Sequence, residues 1–427
     1  MPRAPRRRRS RPTVRFALLL ALLAALAGCG SSLRGGDGDA RADGDAVVPE
    51  SCPRTVMATL GTVLQRVYRE GISSERTASA EHLIERSQPL RAAIESNDAS
   101  AAKNAARELL KTGHMTNLDV VVSSHKLVSV GGPALAPLKG TIADASGHTL
   151  ATYTTSVWAV RGFASEASGV AEGLVALRAG GRSIGGTLEL PEGELPAEGS
   201  LTRREVTYQY TSFQARLYPS GSARIYVLKP LAAVQKLCGA NDVATQVATL
   251  SKVANLIYEG ERGPRTLVQI RRVQQYVPLL QAVARRDPTG TREAVEAILH
   301  HHLVRLRVYA GSTELADVGG PFVLGPVHAD LHLHGRKIGS IVLSIQDDEG
   351  YLRLAKRLAG LDVLMFMQGE GGKLRLVKNS LGPNPGPVPA TGSYTYKGQD
   401  FSVFTVHAEA FPSGPLTIRV LVPLPYS

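Results

Sequence analysis

The sequence predicts an α+β protein of two tandem modules, each with N-terminal helices followed by a mainly antiparallel sheet. Three observations support this prediction: helical periodicity opens each half, strand-like alternation follows it, and the chain repeats itself with a period of 188–190 residues. A period this long exceeds that of solenoid repeats and indicates two whole domains. We place the two modules at 51–235 and 236–427.

Short matched segments carry the repeat. The sequence VGGP at 130–133 recurs unchanged at 318–321, and YPSG at 218–221 is matched by FPSG at 411–414. Each of the latter pair is followed by an apolar strand and a proline. Matches along the whole length favour duplication of one design.

Residues 1–29 are predicted to be a lipoprotein signal peptide. Seven arginines precede the apolar run Phe16–Leu26, which is too short to span a bilayer comfortably. The run ends in the sequence LAGC, which resembles a bacterial lipobox, whose cysteine (here Cys29) is diacylated. An ordinary cleaved signal is the alternative. Because two acyl chains hold a protein stably on a membrane, we expect a lipid-anchored protein on the extracytoplasmic face of the cell membrane.

The segment at 30–50 is rich in Gly, Asp, Ala and Ser and is predicted to be a flexible tether. No other run approaches eighteen apolar residues, so the mature chain is expected to be anchored to the membrane without crossing it. The formal net charge is +12, and removal of the seven leader arginines leaves +5. This mild excess does not favour nucleic-acid binding.

Patterns of period 3.6 predict three helices at the start of each module and one short helix between its strands. Strands follow the leading helices and close each module at 206–230 and 394–423, and the proline-rich segment 381–389 is predicted to be a loop. The predicted helices are 56–69, 78–96, 100–111, 163–177, 243–258, 266–285, 291–301 and 350–359.

This order of elements, in an exported chain, resembles the Cache domains, a family of PAS-like extracytoplasmic sensors. The second module carries the resemblance best, in HLVRLRVY, LADVGGP and GRKIGSIVLSIQDDEGY. The resemblance implies that a small ligand (a carboxylate, amino acid, amine or cation) binds between the sheet and an overlying loop. Members of the family usually carry a transmembrane helix and a signalling output, and this sequence shows neither.

Arg305, Arg307 and Tyr309 are predicted to share one face of a strand in the second module. The planar guanidinium suits a carboxylate, and two of them on one face need an anion. We therefore expect an anionic, carboxylate-type ligand there, and a water-exposed face is the alternative. The residues expected to complete this site are His328, His332 and Lys337.

The first module differs at the matching positions. At an offset of 188 it has Asn117, Asp119 and Val121. The two modules are therefore not expected to bind the same ligand, and the first module is either structural or specific for a neutral or cationic ligand. Trp158, the only tryptophan, is a candidate pocket wall in the first module, with a place in the core as the alternative.

A metal site is a weaker hypothesis. Asp330, His332 and His334 are predicted at alternate positions of one strand, about 7 Å apart. They surround one metal ion only if the strand bends or another segment contributes, and pH-dependent protonation is the alternative. No cofactor is expected.

Cys52 and Cys238 each precede the first helix of a module. In an oxidising compartment they could pair and join the modules at their N-terminal ends, contributing about 4–5 kcal/mol in the chain-entropy model. Two separate thiols are the alternative.

Signatures of catalysis are not found in the sequence: it has no G-x-S-x-G, H-E-x-x-H, Walker A or Rossmann fingerprint. We therefore predict a non-enzymatic, lipid-anchored sensor or accessory signalling protein that binds a small molecule and acts on a membrane signalling protein or transporter. The alternatives are a solute-binding lipoprotein of an ABC importer and a structural envelope protein without a ligand.

Overall fold

The computed structural model describes residues 50–426 apart from 194, 261, 300–302 and 412–413. These residues belong to one compact unit, Ala46–Ser427. The predicted leader, Cys29 and nearly all of the tether lie outside the described residues. The protein is α+β, as the sequence predicts, and its strands pair in antiparallel sheets.

Helices occur at the start of each half and between its strands. They are α1 (Cys52–Arg69), α2 (Glu75–Glu85), α3 (Gln88–Glu95), α4 (Ala99–Thr112), α5 (Val160–Ala171), α6 (Leu231–Gln235), α7 (Asp242–Gly260), α8 (Pro264–Gln274), α9 (Val277–Ala284), α10 (Pro288–Ile298) and α11 (Asp348–Ala359). Within the described ranges, no helix has the length and apolar character needed to cross a bilayer.

Strands make up most of the remaining chain. In the first half they are β1 (Asn117–Val122), β2 (His125–Gly131), β3 (Ala134–Leu135), β4 (Leu138–Ala143), β5 (Thr149–Ser156), β6 (Trp158–Ala159), β7 (Leu174–Ala179), β8 (Arg182–Gly186), β9 (Glu198–Arg203), β10 (Val206–Arg216) and β11 (Ser222–Pro230). In the second half they are β12 (Arg305–Ala310), β13 (Thr313–Gly319), β14 (Val323–Leu324), β15 (Val327–Leu333), β16 (Arg336–Ser344), β17 (Asp362–Gln368), β18 (Leu374–Asn379), β19 (Gly392–Tyr396), β20 (Gln399–Phe411) and β21 (Gly414–Leu424).

The described strands form two four-stranded sheets, two larger sheets and a two-stranded sheet of β3 and β6. Sheet 1 has the order β2-β1-β5-β4, and sheet 3 has the matching order β13-β12-β16-β15. Sheet 2 has the order β8-β7-β11-β10-β9. Sheet 4 has the order β14-β20-β21-β17-β18, and β19 also pairs with β20. The centre of sheet 4, β20-β21-β17-β18, matches β10-β11-β7-β8 of sheet 2.

Sheets 1 and 3 also share their register. Asp119 of β1 lies opposite Ser129 of β2, and Arg307 of β12 lies opposite Asp317 of β13. The register shifts between Val120 and Val121 in β1 and at the matching place, between Val308 and Tyr309, in β12. Residues at an offset of 188 therefore occupy the same place in the two sheets.

The first glycine of the repeated VGGP segment has a geometric reason. Gly131 and Gly319 have positive φ angles of 101° and 135°. A Cβ at either position would meet the backbone of the neighbouring strand, at Asn117 or Arg305 respectively. Only glycine combines this backbone conformation with so close an approach.

The main apolar core lies among α1, α5, α7, α11 and the inner faces of sheets 2 and 4. On α1, the fully or almost fully buried residues include Val56, Leu60, Val63 and Val67. Their spacing of three and four residues places them on one side of the helix. Because the same core receives side chains from both larger sheets, it joins the two halves of the chain.

A tyrosine near the end of each long helix fixes a strand. The Tyr68 hydroxyl accepts a hydrogen bond from the backbone N–H of Arg216 at 2.8 Å. The Tyr258 hydroxyl accepts the corresponding bond from Glu409 at 3.0 Å. These bonds tie α1 to β10 and α7 to β20.

Lys229, on β11, places a buried positive charge at the C-terminal end of α5. Its amine, in a residue only 3% exposed, donates to the carbonyl oxygens of Ala171 at 3.0 Å and Glu172 at 2.8 Å. Burial lowers the pKa of Lys229, and the carboxylate of Glu172 partly counters this. The positive charge is placed where the helix dipole presents its negative end.

Three predicted helices differ from the structure. The helix predicted at 78–96 is divided into α2 and α3, and the one at 266–285 into α8 and α9. The second member of each pair has a proline, Pro89 or Pro278, in its first turn, where the missing N–H is tolerated and where a continuous helix would be interrupted. The short helix predicted at 163–177 ends at Ala171. Glu172 adopts a left-handed conformation, and strand β7 begins at Leu174.

Candidate functional site

The structure brings together the predicted arginines of the second half and supplies their anion. The Asp317 carboxylate accepts bonds from Arg305 Nε at 2.8 Å and Nη2 at 2.6 Å. It also accepts from Arg307 Nε at 3.0 Å and Nη2 at 2.6 Å. The side chains of Arg305, Arg307 and Asp317 are 12%, 20% and 15% exposed. A carboxylate of the chain itself therefore occupies the place that the sequence assigns to a ligand.

An aromatic ring covers this cluster. The guanidinium carbons of Arg305 and Arg307 lie 5.1 and 4.7 Å from the ring centroid of Phe411, a cation–π geometry. Tyr309 accepts a hydrogen bond from Arg307 at 3.3 Å. Phe411 ends β20, so the cluster joins sheet 3 to the β20–β21 hairpin of sheet 4.

The first half has the same junction with opposite charge. Asp119 accepts a hydrogen bond from Ser129 at 2.7 Å and pairs with Lys126 at 2.9 Å. It also contacts the hydroxyl of Tyr218, which lies in the turn between β10 and β11. Burial acts to raise the pKa of Asp119, but bonds from Tyr218, Lys126 and Ser129 outweigh it and lower the pKa. In the first half, an aspartate and a phenol hydroxyl join sheet 1 to sheet 2. In the second half, arginines and an aromatic face join sheet 3 to sheet 4.

The other residues predicted for this site lie at the exposed edge of sheet 3. His328 and His332 are exposed on β15, and Lys337 pairs with Asp330 at 2.7 Å. His328 and Arg307 both pair with Val342 of β16, so they lie on the same face of sheet 3. Two strand spacings, about 10 Å, separate the histidine from the arginine backbone. The structure does not gather these residues around the guanidinium groups.

The metal hypothesis conflicts with the geometry. Strand β15 ends at Leu333, and the next residue, His334, has a φ of 50°, so it leaves the strand face that Asp330 and His332 share. A register shift also falls between Leu331 and His332. Among the described residues, no group of three or more His, Cys, Asp or Glu side chains is placed to hold a metal ion.

Trp158 packs at the edge of the core, beside a loop. Its ring meets Phe163 edge-on at 5.8 Å, and the guanidinium of Arg76 lies 5.5 Å from its centroid. Its buried Nε1–H has no hydrogen-bond partner.

Cys52 and Cys238 form a disulfide, with their Cα atoms 5.6 Å apart. The bridge links the start of α1 to the segment between α6 and α7. It therefore fastens together the two halves at the N-terminal ends of their long helices.

A second arginine pair, which sequence reasoning missed, lines a cleft on the outer face of sheet 2. The cleft has a volume of about 480 Å³ and lies between the sheet and the loop 187–197. Arg178 of β7 lies directly opposite Arg224 of β11. Side chains from neighbouring strands and from the loop complete the lining: Gln214, Tyr226, Leu195 and Pro196.

Side chains of sheet 2 hold the overlying loop in place. The Tyr226 hydroxyl donates to the carbonyl oxygen of Leu195 at 3.2 Å, and the Ser212 hydroxyl donates to that of Ala197 at 2.7 Å. Leucines of the loop pack on the same apolar patch as Tyr226. The cleft is therefore a built feature of sheet and loop.

Arg178 is a buried cation with only part of its guanidinium group hydrogen-bonded. The residue is 4% exposed, and one of its terminal nitrogens, Nη2, donates to the carbonyl oxygen of Gly181. The other, Nη1, is buried without a partner. Within the part of the chain that the structure describes, neither Arg178 nor Arg224 has a carboxylate partner within 4.0 Å. Burial of a cation without a counter-ion is costly, which makes this pair the strongest candidate site among the described residues.

The sequence contains a weak signal for this pair. Arg178 interrupts the apolar run LVALRA, and Arg224 precedes the run IYVL. A charge within a strand that is otherwise apolar on both faces indicates either a partner or a ligand. That the two charges face each other follows only from the pairing of β7 with β11.

Comparison with protein-family models gives no match, and comparison with curated proteins gives none either. Among solved structures, the chain is similar to an extracellular ligand binding receptor from Desulfohalobium retbaense DSM5692, with 14% sequence identity and a TM-score of 0.24. The aligned part covers 43% of this chain and 41% of the receptor, so it spans less than half of either protein. A likeness at this TM-score assigns neither fold nor function.

Proposed function

We propose that this chain is a lipid-anchored extracytoplasmic protein that binds a small anionic molecule and passes its ligand state to a membrane partner. The observation that carries the proposal is the loop-covered cleft of sheet 2, in which the buried Arg178 has no carboxylate partner among the described residues. The cleft lies between a sheet and an overlying loop, which is where the resemblance to Cache domains leads us to expect a ligand. The proposed role involves no catalysis.

Duplication of one sensor design is part of the proposal. The common strand order of sheets 1 and 3, and their common register, support it. The two halves then differ where ligands would bind, since the outer face of sheet 2 carries an open cleft with two opposed arginines. The corresponding face of sheet 4 is covered by an apolar cluster, against which the single guanidinium of Arg419 packs.

The test is calorimetric titration of the full chain with small anions at fixed ionic strength. Wild type is expected to bind at least one of acetate, malonate, succinate or inorganic phosphate, and Arg178→Met is expected to abolish that binding. Arg336→Gln, which alters an exposed arginine of sheet 3, is the matched control and should bind as wild type. Equal binding by wild type and Arg178→Met would refute the proposed site.

A second candidate is the carboxylate site predicted around Arg305 and Arg307. In its favour, two guanidinium groups share the carboxylate of Asp317, and the second carboxylate beside Arg307, that of Glu314 at 3.2 Å, is half exposed. A ligand would have to displace that carboxylate. Loss of binding in Arg305→Gln, with binding retained in Arg178→Met, would favour this site.

The membrane anchor has its own test. Cys29→Ala is expected to move the protein from the membrane fraction to the soluble fraction, because the acyl chains would have no attachment site. Among the alternatives, a solute-binding lipoprotein would require an importer as partner. A structural envelope protein would show no binding in the titration.

A further inference from the structure

We infer that the cleft of sheet 2 selects a small dianion, either a dicarboxylate or a phosphate, over a monoanion. This inference rests on the proposed function, because it concerns the same site. It adds the charge of the ligand, which the proposed function leaves open.

The cleft carries two positive charges. Arg178 and Arg224 are a directly opposed pair on adjacent strands, a position at which Cβ atoms are about 4.5–5.5 Å apart. Like charges in this position repel each other. A monoanion neutralises one of the two guanidinium groups, whereas a dianion neutralises both.

Hydrogen bonds within the protein hold both guanidinium groups in place before a ligand arrives. Arg178 is fixed by its bond to the carbonyl oxygen of Gly181. Arg224 Nη1 donates to the Ser212 hydroxyl at 3.2 Å. In the amide orientation that satisfies both of its ends, Gln214 accepts from Arg224 Nη2 at 2.8 Å and donates to Ala223. Guanidinium groups positioned in this way need little reordering when they bind an anion.

Sheet 4 has the matching strand order without this pair of arginines. The paired positions there are Phe366 of β17 and Thr417 of β21. Phe366 is 8% exposed and lies under the guanidinium of Arg419, which is 4.4 Å from the ring centroid. Since the sheet forms with an aromatic and a hydroxyl residue at these positions, two arginines are not a requirement of the architecture.

Glu194 lies between Gly193 and Leu195 in the sequence and is outside the described residues. If this carboxylate served as counter-ion, the chain would supply one of the two negative charges. The variant Glu194→Gln therefore belongs in the experiment.

The experiment is calorimetric titration of the full chain at constant ionic strength with acetate, malonate, succinate and inorganic phosphate. We expect malonate, succinate or phosphate to bind at least about tenfold more tightly than acetate, since charge-assisted bonds form to both arginines. The dicarboxylate and phosphate arms identify which kind of dianion the cleft takes.

Two variants separate the contributions. Arg224→Gln is expected to lower the affinity for the preferred dianion by about tenfold or more. The affinity for acetate is expected to change by less than about threefold, because the guanidinium of Arg178 remains. Arg178→Met is expected to abolish binding of every anion while its urea midpoint stays at or above that of wild type, because it removes an unneutralised buried charge. A clearly lower midpoint, with anion binding intact, would instead assign Arg178 a purely structural role and overturn the inference.

The outcomes distinguish the two proposals. Acetate binding as tightly as the dianions, with both lost in Arg178→Met, refutes the dianion inference and leaves the proposed function intact. The absence of binding by any of these anions refutes both. A preference for dianions that appears only in Glu194→Gln also refutes the inference for the native chain.

Discussion

Replacing Asp317 by asparagine removes the negative charge shared by Arg305 and Arg307 above Phe411. Among the described residues, Arg305 then has no carboxylate partner, and Arg307 keeps only the half-exposed Glu314 at 3.2 Å. The Asp317 carboxylate accepts four hydrogen bonds of 2.6–3.0 Å from the two guanidinium groups. Hydrogen bonds to charged groups contribute about 1.5–3 kcal/mol each, and loss of one partner of a buried pair costs about 3–5 kcal/mol. Asparagine keeps one acceptor oxygen, so we expect a loss of about 3 kcal/mol in the free energy of unfolding at pH 7.

The loss in the free energy of unfolding is expected to depend on pH. Burial acts to raise the pKa of Asp317, but the bonds from Arg305 and Arg307 outweigh it and hold the pKa below its ordinary value. A carboxyl group with a lowered pKa in the folded state stabilises the protein above the unfolded pKa, about 3.9, and this stabilisation is lost as the pH falls through the folded value. The difference between wild type and Asp317→Asn should therefore be full at pH 7 and should shrink in acid.

Urea unfolding at pH 7 and at several acidic pH values, followed by circular dichroism, measures this difference. Asp330→Asn is the matched control in the same sheet, because its ion pair with Lys337 is half exposed, and it should change stability by less than about 1 kcal/mol. A loss below about 1 kcal/mol in Asp317→Asn at pH 7, or a difference that does not narrow in acid, would refute the reasoning.

Three further predictions concern stability. Reduction of the Cys52–Cys238 disulfide should lower the free energy of unfolding by about 5 kcal/mol in the chain-entropy model, because the bridge spans a sequence separation of 186 residues; identical urea midpoints with and without reductant would contradict it. Lys229→Met should cost about 1–3 kcal/mol, since the carbonyls at the end of α5 lose a buried donor, and the thermal midpoint reports this loss. Gly71→Ala should displace the ring of Trp158, which an added Cβ would meet, with a loss of about 1–3 kcal/mol and a shift in tryptophan emission; unchanged emission and stability would count against this packing.

Local patterns predicted much of the fold because they depend on neighbours in sequence. Alternation in β12 places Leu306 and Val308 in the core and leaves Arg305 and Arg307 on the other face, as observed. The ends of α5 were harder to predict. The predicted helix continued to Leu177, whereas a left-handed residue at Glu172 ends the helix and pairing with β11 makes the next segment a strand.

The candidate site depends on partners that only the folded chain brings together. Two arginines on one strand predicted an anion, and Asp317, ten residues after Arg307, proved to be that anion once β12 and β13 paired. Arg178 and Arg224 are 46 residues apart in sequence and carry no shared motif. Their opposition, and the absence of a described carboxylate beside them, could be recognised only from the register of sheet 2.

The apolar layer formed by α1, α5, α7 and α11 limits how this protein can be divided. Cutting the chain between residues 235 and 236 would leave each fragment with one side of that layer, including Leu60 or Leu250, facing water. Such fragments should aggregate or associate with each other when expressed separately. A truncation study of ligand binding would therefore have to co-express the two pieces, and recovery of a noncovalent complex from them would show that each piece needs the other to stay soluble.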